Sequence, residues 1–127
     1  MIYFTGDVHG QIDDLLRRLD YKKIPHTADQ IIVLLGDVGV NYNRTLNECV
    51  QKQKLQDSGR TYFCIHGNHE MRPENIESYH ERTNELGTFY VEDAYPNILF
   101  AKDGEIYNLE NRKVLVLGGA YSVDKWY

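Results

Sequence analysis

Three short segments of the 127-residue chain carry side chains suited to chemistry: Gly6-Asp7-Val8-His9-Gly10, Gly36-Asp37-Val38-Gly39 and Gly67-Asn68-His69-Glu70. Together they supply carboxylates, imidazoles and a carboxamide. That mixture of oxygen and nitrogen donors suits Mn, Fe, Zn or Co rather than the all-oxygen cage of calcium. The glycines let the backbone turn sharply and approach a bound ion or phosphate closely. Singly, each residue has an ordinary reading: an aspartate after glycine is commonly a turn or cap residue, a lone histidine a packed or surface side chain, and Glu70 a cap or ion-pair partner. Those readings do not account for three such clusters in the same local setting.

The setting is the end of a strand. Residues 2–5, 31–35 and 61–65 are β-rich apolar runs, and each leads directly into or toward one of the clusters. Between the first two runs, Ile12, Leu15, Leu16 and Leu19 form one apolar stripe, opposite Asp13, Asp14, Arg17 and Arg18, which predicts an amphipathic helix. Between the second and third, Leu46, Cys49 and Val50 repeat that spacing in a more polar helix, with Asn43 as its expected cap and Gly59 as its stop. Strand and helix alternating at about 30 residues per step predict three parallel strands in one sheet. Ligands of such sheets bind beyond the carboxyl ends of the strands, so the three clusters are expected to meet at one edge. After Gly67 the pattern becomes antiparallel. A short helix is expected from Pro73 through Ile76 and Tyr79, a hairpin of 98–101 with 105–109 around Lys102-Asp103-Gly104, and a further strand over 113–117 ending in Gly118-Gly119. With no repeat, linker or low-complexity stretch, residues 1–127 read as a single domain.

Composition narrows the function. Fourteen Lys and Arg against nineteen Asp and Glu give a formal charge of -5, which lacks the basic surplus that nucleic-acid binding uses. An acidic chain still binds phosphate when its carboxylates first collect divalent cations. The longest apolar stretch, residues 31–35, is far below the ~18 residues of a membrane span. The first residues lack a basic, cleavable leader, so a cytoplasmic location is expected. Cys49 and Cys64 read as two reduced core thiols. His26 and His80 read as solvated, and His66 matches nothing specific.

Gly-Asp-x-His-Gly, Gly-Asp-x-Gly and Gly-Asn-His-Glu, in this order over residues 2–70, resemble the calcineurin-like metallophosphoesterase superfamily. The resemblance implies an α/β fold, an αββα sandwich of mixed sheets, and dinuclear-metal hydrolysis of phosphomonoesters or phosphodiesters with a metal-activated hydroxide as nucleophile. It implies Asp7 and His9 as ligands of one ion, Asp37 as the carboxylate bridging two, Asn68 as a ligand of the second and His69 as the catalytic imidazole. Two divalent ions (Mn, Fe, Zn or Co) are the implied cofactors. A phosphorylated small molecule, nucleotide or phosphoprotein is the implied substrate.

Two departures qualify the resemblance. Val40-Asn41 stands where the protein phosphatases and dinucleoside-polyphosphate hydrolases of the superfamily carry a phosphate-binding Asp-Arg, leaving Arg44 and Arg72 as candidates for that task. The superfamily also completes its metal shells with histidines from later motifs, and no histidine follows His80. Residues 1–127 are therefore expected to be the N-terminal portion of such a domain, as a fragment of a longer enzyme or a natural short relative, holding at most one metal firmly, weak or inactive in hydrolysis by itself, and self-associating through an open sheet or edge. The alternative is a catalytically incomplete, metal-binding or interaction module of the same fold. A flavodoxin-like nucleotide module ranks last, because it leaves His9, Asn68 and His69 without a task.

Overall fold

A computed structural model describes residues 1–6 and 8–119. In chain order the elements are β1 (Ile2–Thr5), α1 (Ile12–Tyr21), β2 (Ile31–Leu35), α2 (Leu46–Asp57), β3 (Thr61–Ile65), β4 (Tyr79–Asn84), β5 (Gly87–Glu92), β6 (Tyr95–Ala101), β7 (Ile106–Leu109) and β8 (Arg112–Leu115). Six strands form one mixed sheet in the order β1-β2-β3-β6-β5-β4, and β7 and β8 form a separate two-stranded sheet. As the helix-separated spacing predicts, β1, β2 and β3 are parallel, with Tyr3 opposite Ile32 and Ile32 opposite Tyr62. β6 adds a fourth parallel strand beside β3.

The period-two alternation of these strands builds two cores. Ile32, Leu34, Tyr62, Cys64, Ile98 and Phe100 pack toward Ile12, Leu15 and Leu19 of α1 and Leu55 of α2. The intervening Val33, Phe63 and Leu99 face the other way, toward Tyr107, Leu109 and Val116 of the hairpin layer. Tyr107 pins that hairpin: its ring meets Phe63 edge-on at 4.8 Å, and its hydroxyl donates to the Thr88 carbonyl and accepts from the Lys102 N–H. The result is a layer of helices, a mixed sheet and a second small sheet.

Four details differ from the sequence expectation. First, α2 is capped by Thr45 rather than Asn43, through a reciprocal capping box with Glu48. Its buried face is Glu48, Lys52 and Leu55, while Leu46 and Val50 are exposed and Cys49 is a surface thiol rather than a core one. The polar face is tolerated because its charges are answered: Lys52 pairs with Glu92, and its ammonium lies over the rings of Tyr79 and Tyr95. Second, the helix expected from Pro73 is a single 3-10 turn, Pro73–Asn75. Tyr79 and His80 instead open β4, a polar edge strand paired with β5. Third, 98–101 and 105–109 do not pair. β6 already has β3 on one side and β5 on the other, so Lys102-Asp103-Gly104 carries the chain out of the sheet. β7 pairs with β8 instead, through Glu110 and Asn111, both at positive φ as a tight I′ turn requires. Fourth, Tyr62 and Tyr107 are fully buried, whereas the tyrosines, scattered along the chain, are expected to pack half-buried with a wet hydroxyl.

The Lys52–Glu92 pair makes a prediction. Burial pushes the Glu92 carboxyl up, but the Lys52 ammonium and the Ser78 hydroxyl outweigh it and hold the group below its ordinary value of 4.5. A depressed folded-state value means that the stabilisation is fully present above the unfolded-state value and is lost as the pH falls through the folded one. Thermal melts are therefore expected to fall as the pH drops below about 4.5. Glu92→Gln should be less stable near neutrality and show a shallower acid dependence. Equal acid slopes in the two proteins would contradict this account.

Among the described residues, no helix is long and apolar enough to cross a membrane.

Candidate active site

The loops after β1, β2 and β3 meet at the carboxyl edge of the sheet. Valines anchor two of them: Val8, Val38 and Val40 are buried in the helix-side core, which fixes the residues between them. The first two loops are also bonded to each other, His9 N–H to the Asp37 carbonyl at 2.8 Å and Gly10 N–H to the Val38 carbonyl at 2.9 Å. A Cβ on Gly39 would lie 2.0 Å from the Gly10 nitrogen, and its φ of +88° is the left-handed region that favours glycine. His9 and Asp37 themselves adopt positive φ, 51° and 40°. Such backbone strain gathers at functional sites, where surrounding contacts hold it in place.

Asp37 is the centre of the arrangement, 3 % exposed. Its Oδ1 accepts the His69 backbone N–H at 3.0 Å, and its Oδ2 lies 2.9 Å from His69 Nδ1. Burial pushes the Asp37 carboxyl up, but His69 and the nearby His9 ring outweigh burial and leave it below the ordinary carboxylate value. The His9 and His69 rings stand 6.1 Å apart, edge to face, and Tyr42 completes a triangle with both.

Glu70 ties two of the loops together. Its Oε1 accepts the N–H groups of Val38 at 2.9 Å and Gly67 at 3.2 Å, joining the second and third loops, while its buried Oε2 has no hydrogen-bond partner among the described residues. Burial raises the Glu70 carboxyl above its ordinary value; the backbone N–H groups oppose that and Asp37 adds to it. Glu70 thus bonds across loops rather than capping a following helix.

Asn68 leaves the same strand end and lines an adjoining cleft of about 280 Å³, together with Leu35, His66, Gly67 and Gly118. His66, which the sequence did not single out, is 3 % exposed, and its Nε2 lies 3.0 Å from Asp103 Oδ2. The Gly119 N–H donates to the His66 carbonyl and the Gly118 N–H to Asp103 Oδ1. The expected fourth glycine-ended run therefore reaches the site, though from the antiparallel hairpin. Arg72 reaches Asp103 at 3.4 Å and Glu74 at 3.7 Å on the rim. Asp7 lies outside the described residues, as do residues 120–127.

Of the residues singled out in the sequence, His9, Asp37 and His69 thus stand together, with Asn68 beside them. Among the described residues, no group of three or more His, Cys, Asp or Glu side chains is gathered to hold a metal ion. In kind, however, the donors fit a borderline divalent cation: imidazoles beside a buried carboxylate, and a buried Glu70 oxygen with no hydrogen-bond partner among the described residues.

No curated protein and no solved structure matches the chain. The family model of calcineurin-like phosphoesterases matches it over residues 1–127, its whole length. The three loop motifs, the mixed α/β sheet that brings their residues to one edge, and this end-to-end match together place the chain in the calcineurin-like phosphoesterase family.

Proposed function

We propose that the chain is a metal-dependent phosphoesterase acting on phosphomonoesters or phosphodiesters of a small molecule, nucleotide or phosphoprotein. The observation that carries this reading is the setting of Asp37: a buried carboxylate where two parallel-strand exits meet, with the His69 ring on one oxygen and His9 close by. Asp7, His9 and Asp37 would hold one divalent ion firmly, and Asp37 together with Asn68 a second only weakly. Such ions, when bound, polarise phosphoryl oxygens and acidify water. Asn68 contributes a neutral carbonyl oxygen, which limits the negative charge facing an anionic substrate. His69, whose Nδ1 is engaged by Asp37, would donate a proton to the leaving oxygen through Nε2.

The test uses p-nitrophenyl phosphate and bis-p-nitrophenyl phosphate with Mn²⁺. Turnover is expected to vanish with a chelator and return with added Mn²⁺. Activity indifferent to chelator would overturn the reading, and firm Mn²⁺ binding without turnover of either ester would favour the non-catalytic metal-binding module.

Self-association is proposed on separate grounds. Phe4, Leu35, Leu115 and Leu117 are 63 %, 45 %, 59 % and 72 % exposed on strands or at their ends, an apolar display that a second copy would cover. Sedimentation velocity is expected to show a dimer that Leu115→Asp weakens. A monomer at every concentration would remove this proposal.

A further inference from the structure

Arg72 stands three residues after His69 on the third loop, and the structure restrains it at both ends. Its backbone is fixed by its neighbours: the Met71 N–H donates to the Asn41 carbonyl at 2.9 Å, and the Arg72 carbonyl accepts the Asn75 N–H at 2.9 Å across the buried Pro73. Its guanidinium is held by one nitrogen only. Nη1 meets Asp103 Oδ2 at 3.4 Å and Glu74 at 3.7 Å, while Nε and Nη2 have no hydrogen-bond partner among the described residues. Asp103 is itself anchored, its Oδ1 accepting the Gly118 N–H at 2.8 Å and its Oδ2 lying 3.0 Å from His66 Nε2. A single long contact to an anchored carboxylate orients the arginine without engaging its fork, as a close bidentate pair would.

The space beside that free edge is kept open. A Cβ on Gly119, whose φ is +69°, would stand 3.8 Å from Arg72 Nη2 and 2.7 Å from His66 Cε1. Gly119 and His66 line the cleft that Asn68 also lines, so Nη2 lies beside the glycine wall of that cleft. Arg44, the other cation considered from the sequence, is placed elsewhere. It lines a separate cavity of about 100 Å³ with Glu48, Lys52 and Glu92.

We propose that Arg72 binds the phosphoryl oxygens of the substrate and directs the chain toward phosphomonoesters rather than phosphodiesters. The inference deepens the phosphoesterase reading and rests on it. A guanidinium presents its N–H groups as a planar fork that matches two oxygens of one phosphate. A phosphomonoester carries about two negative charges near neutrality on three non-bridging oxygens, so oxygens remain for the fork when a cation takes one. A diester has one charge and one such oxygen fewer, and therefore gains less from the arginine. With a formal charge of -5, the chain repels a dianion wherever its carboxylates are not neutralised, which gives a cation at the cleft wall its effect.

The test reads anion binding rather than turnover. Calorimetric titration with inorganic phosphate, with and without Mn²⁺, is expected to show affinity lower by about 10-fold in Arg72→Gln. Arg72→Lys, which keeps the charge but not the fork, should lose less, and Arg44→Gln nothing. Phenylphosphonate, a dianion, and its monomethyl ester, a monoanion, separate the substrate classes: Arg72→Gln should weaken the first more than the second. Because the Arg72 side chain is half exposed, the thermal melt and Mn²⁺ affinity of Arg72→Gln are expected to match those of the unmodified chain. An unmodified chain that binds no phosphate would overturn the proposal, as would unchanged phosphate affinity in Arg72→Gln, an equal loss in Arg44→Gln, or equal losses for the two phosphonates. Mn²⁺ affinity falling with phosphate affinity in Arg72→Gln would make Arg72 a structural part of the loop and overturn it too. An unmodified chain that binds phosphate through Arg72 but no Mn²⁺ would overturn the metal reading instead.

Discussion

Asp37→Asn is expected to lower metal-dependent phosphoester turnover on the order of 10²-fold or more while the chain remains folded. Asparagine has nearly the same shape and tolerates the positive φ of 40° at this position better than most residues do. Its Oδ1 can still accept the His69 N–H now bonded at 3.0 Å, so the local backbone has no reason to move. What changes is charge and polarity. The substitution removes the anion that the loops bury at 3 % exposure, and it places an NH₂ where Oδ2 now lies 2.9 Å from His69 Nδ1. The imidazole must then present a lone pair there, so the form that carries a proton on both nitrogens, donating from Nδ1 to Asp37 and able to give one from Nε2, is lost. The variant thus loses the group proposed to be shared by two cations and alters the proposed proton donor. Circular dichroism and a thermal melt near those of the unmodified chain, with Mn²⁺ affinity and turnover both reduced, are the expected set. Turnover within about threefold of the unmodified chain would show that Asp37 is a structural turn residue.

The parallel half of the fold was legible because each run there is apolar, β-rich and separated by an amphipathic helix, so local pattern and tertiary role agree. α2 broke that agreement. Its local periodicity pointed to Leu46, Cys49 and Val50, but the buried face is set by partners distant in sequence: Glu92 for Lys52, and the loop N–H groups for Glu48. The 98–109 region misled for a related reason. A hairpin signal is local, whereas whether β6 has an open edge depends on β3 and β5 having taken both. At the site, the adjacency of Asp37 and His69 followed from strand ends alone. The pairings of His9 with Tyr42 and of His66 with Asp103 did not, because each joins a motif loop to a segment whose path no periodicity describes.

Gly67→Ala is expected to be among the most damaging single-carbon changes at the described glycines. A Cβ at this position would lie 2.0 Å from Asp37 Oδ1 and 2.3 Å from the Asp37 nitrogen, well inside any real carbon contact. Neither neighbour yields easily. The Asp37 side chain is held by His69 through both oxygens, and its carbonyl accepts the His9 N–H. Gly67 is held in turn: its N–H donates to Glu70 Oε1, and the carbonyl of the preceding His66 accepts from Gly119. Relief therefore requires the second and third loops to separate, at about 1–3 kcal/mol for overpacking, with Asp37 displaced from His69 as they do. Gly67 is not among the glycines at positive φ, so crowding alone is the cause. Gly104 supplies the opposite case, with φ +82° and nothing within 4 Å of an added Cβ. Gly104→Ala should cost about 1 kcal/mol of backbone strain and leave Mn²⁺ affinity unchanged, whereas Gly67→Ala should lose both stability in urea and Mn²⁺ affinity. If Gly67→Ala kept the stability and metal affinity of the unmodified chain, the close approach of the two loops would not be what holds Asp37 in place.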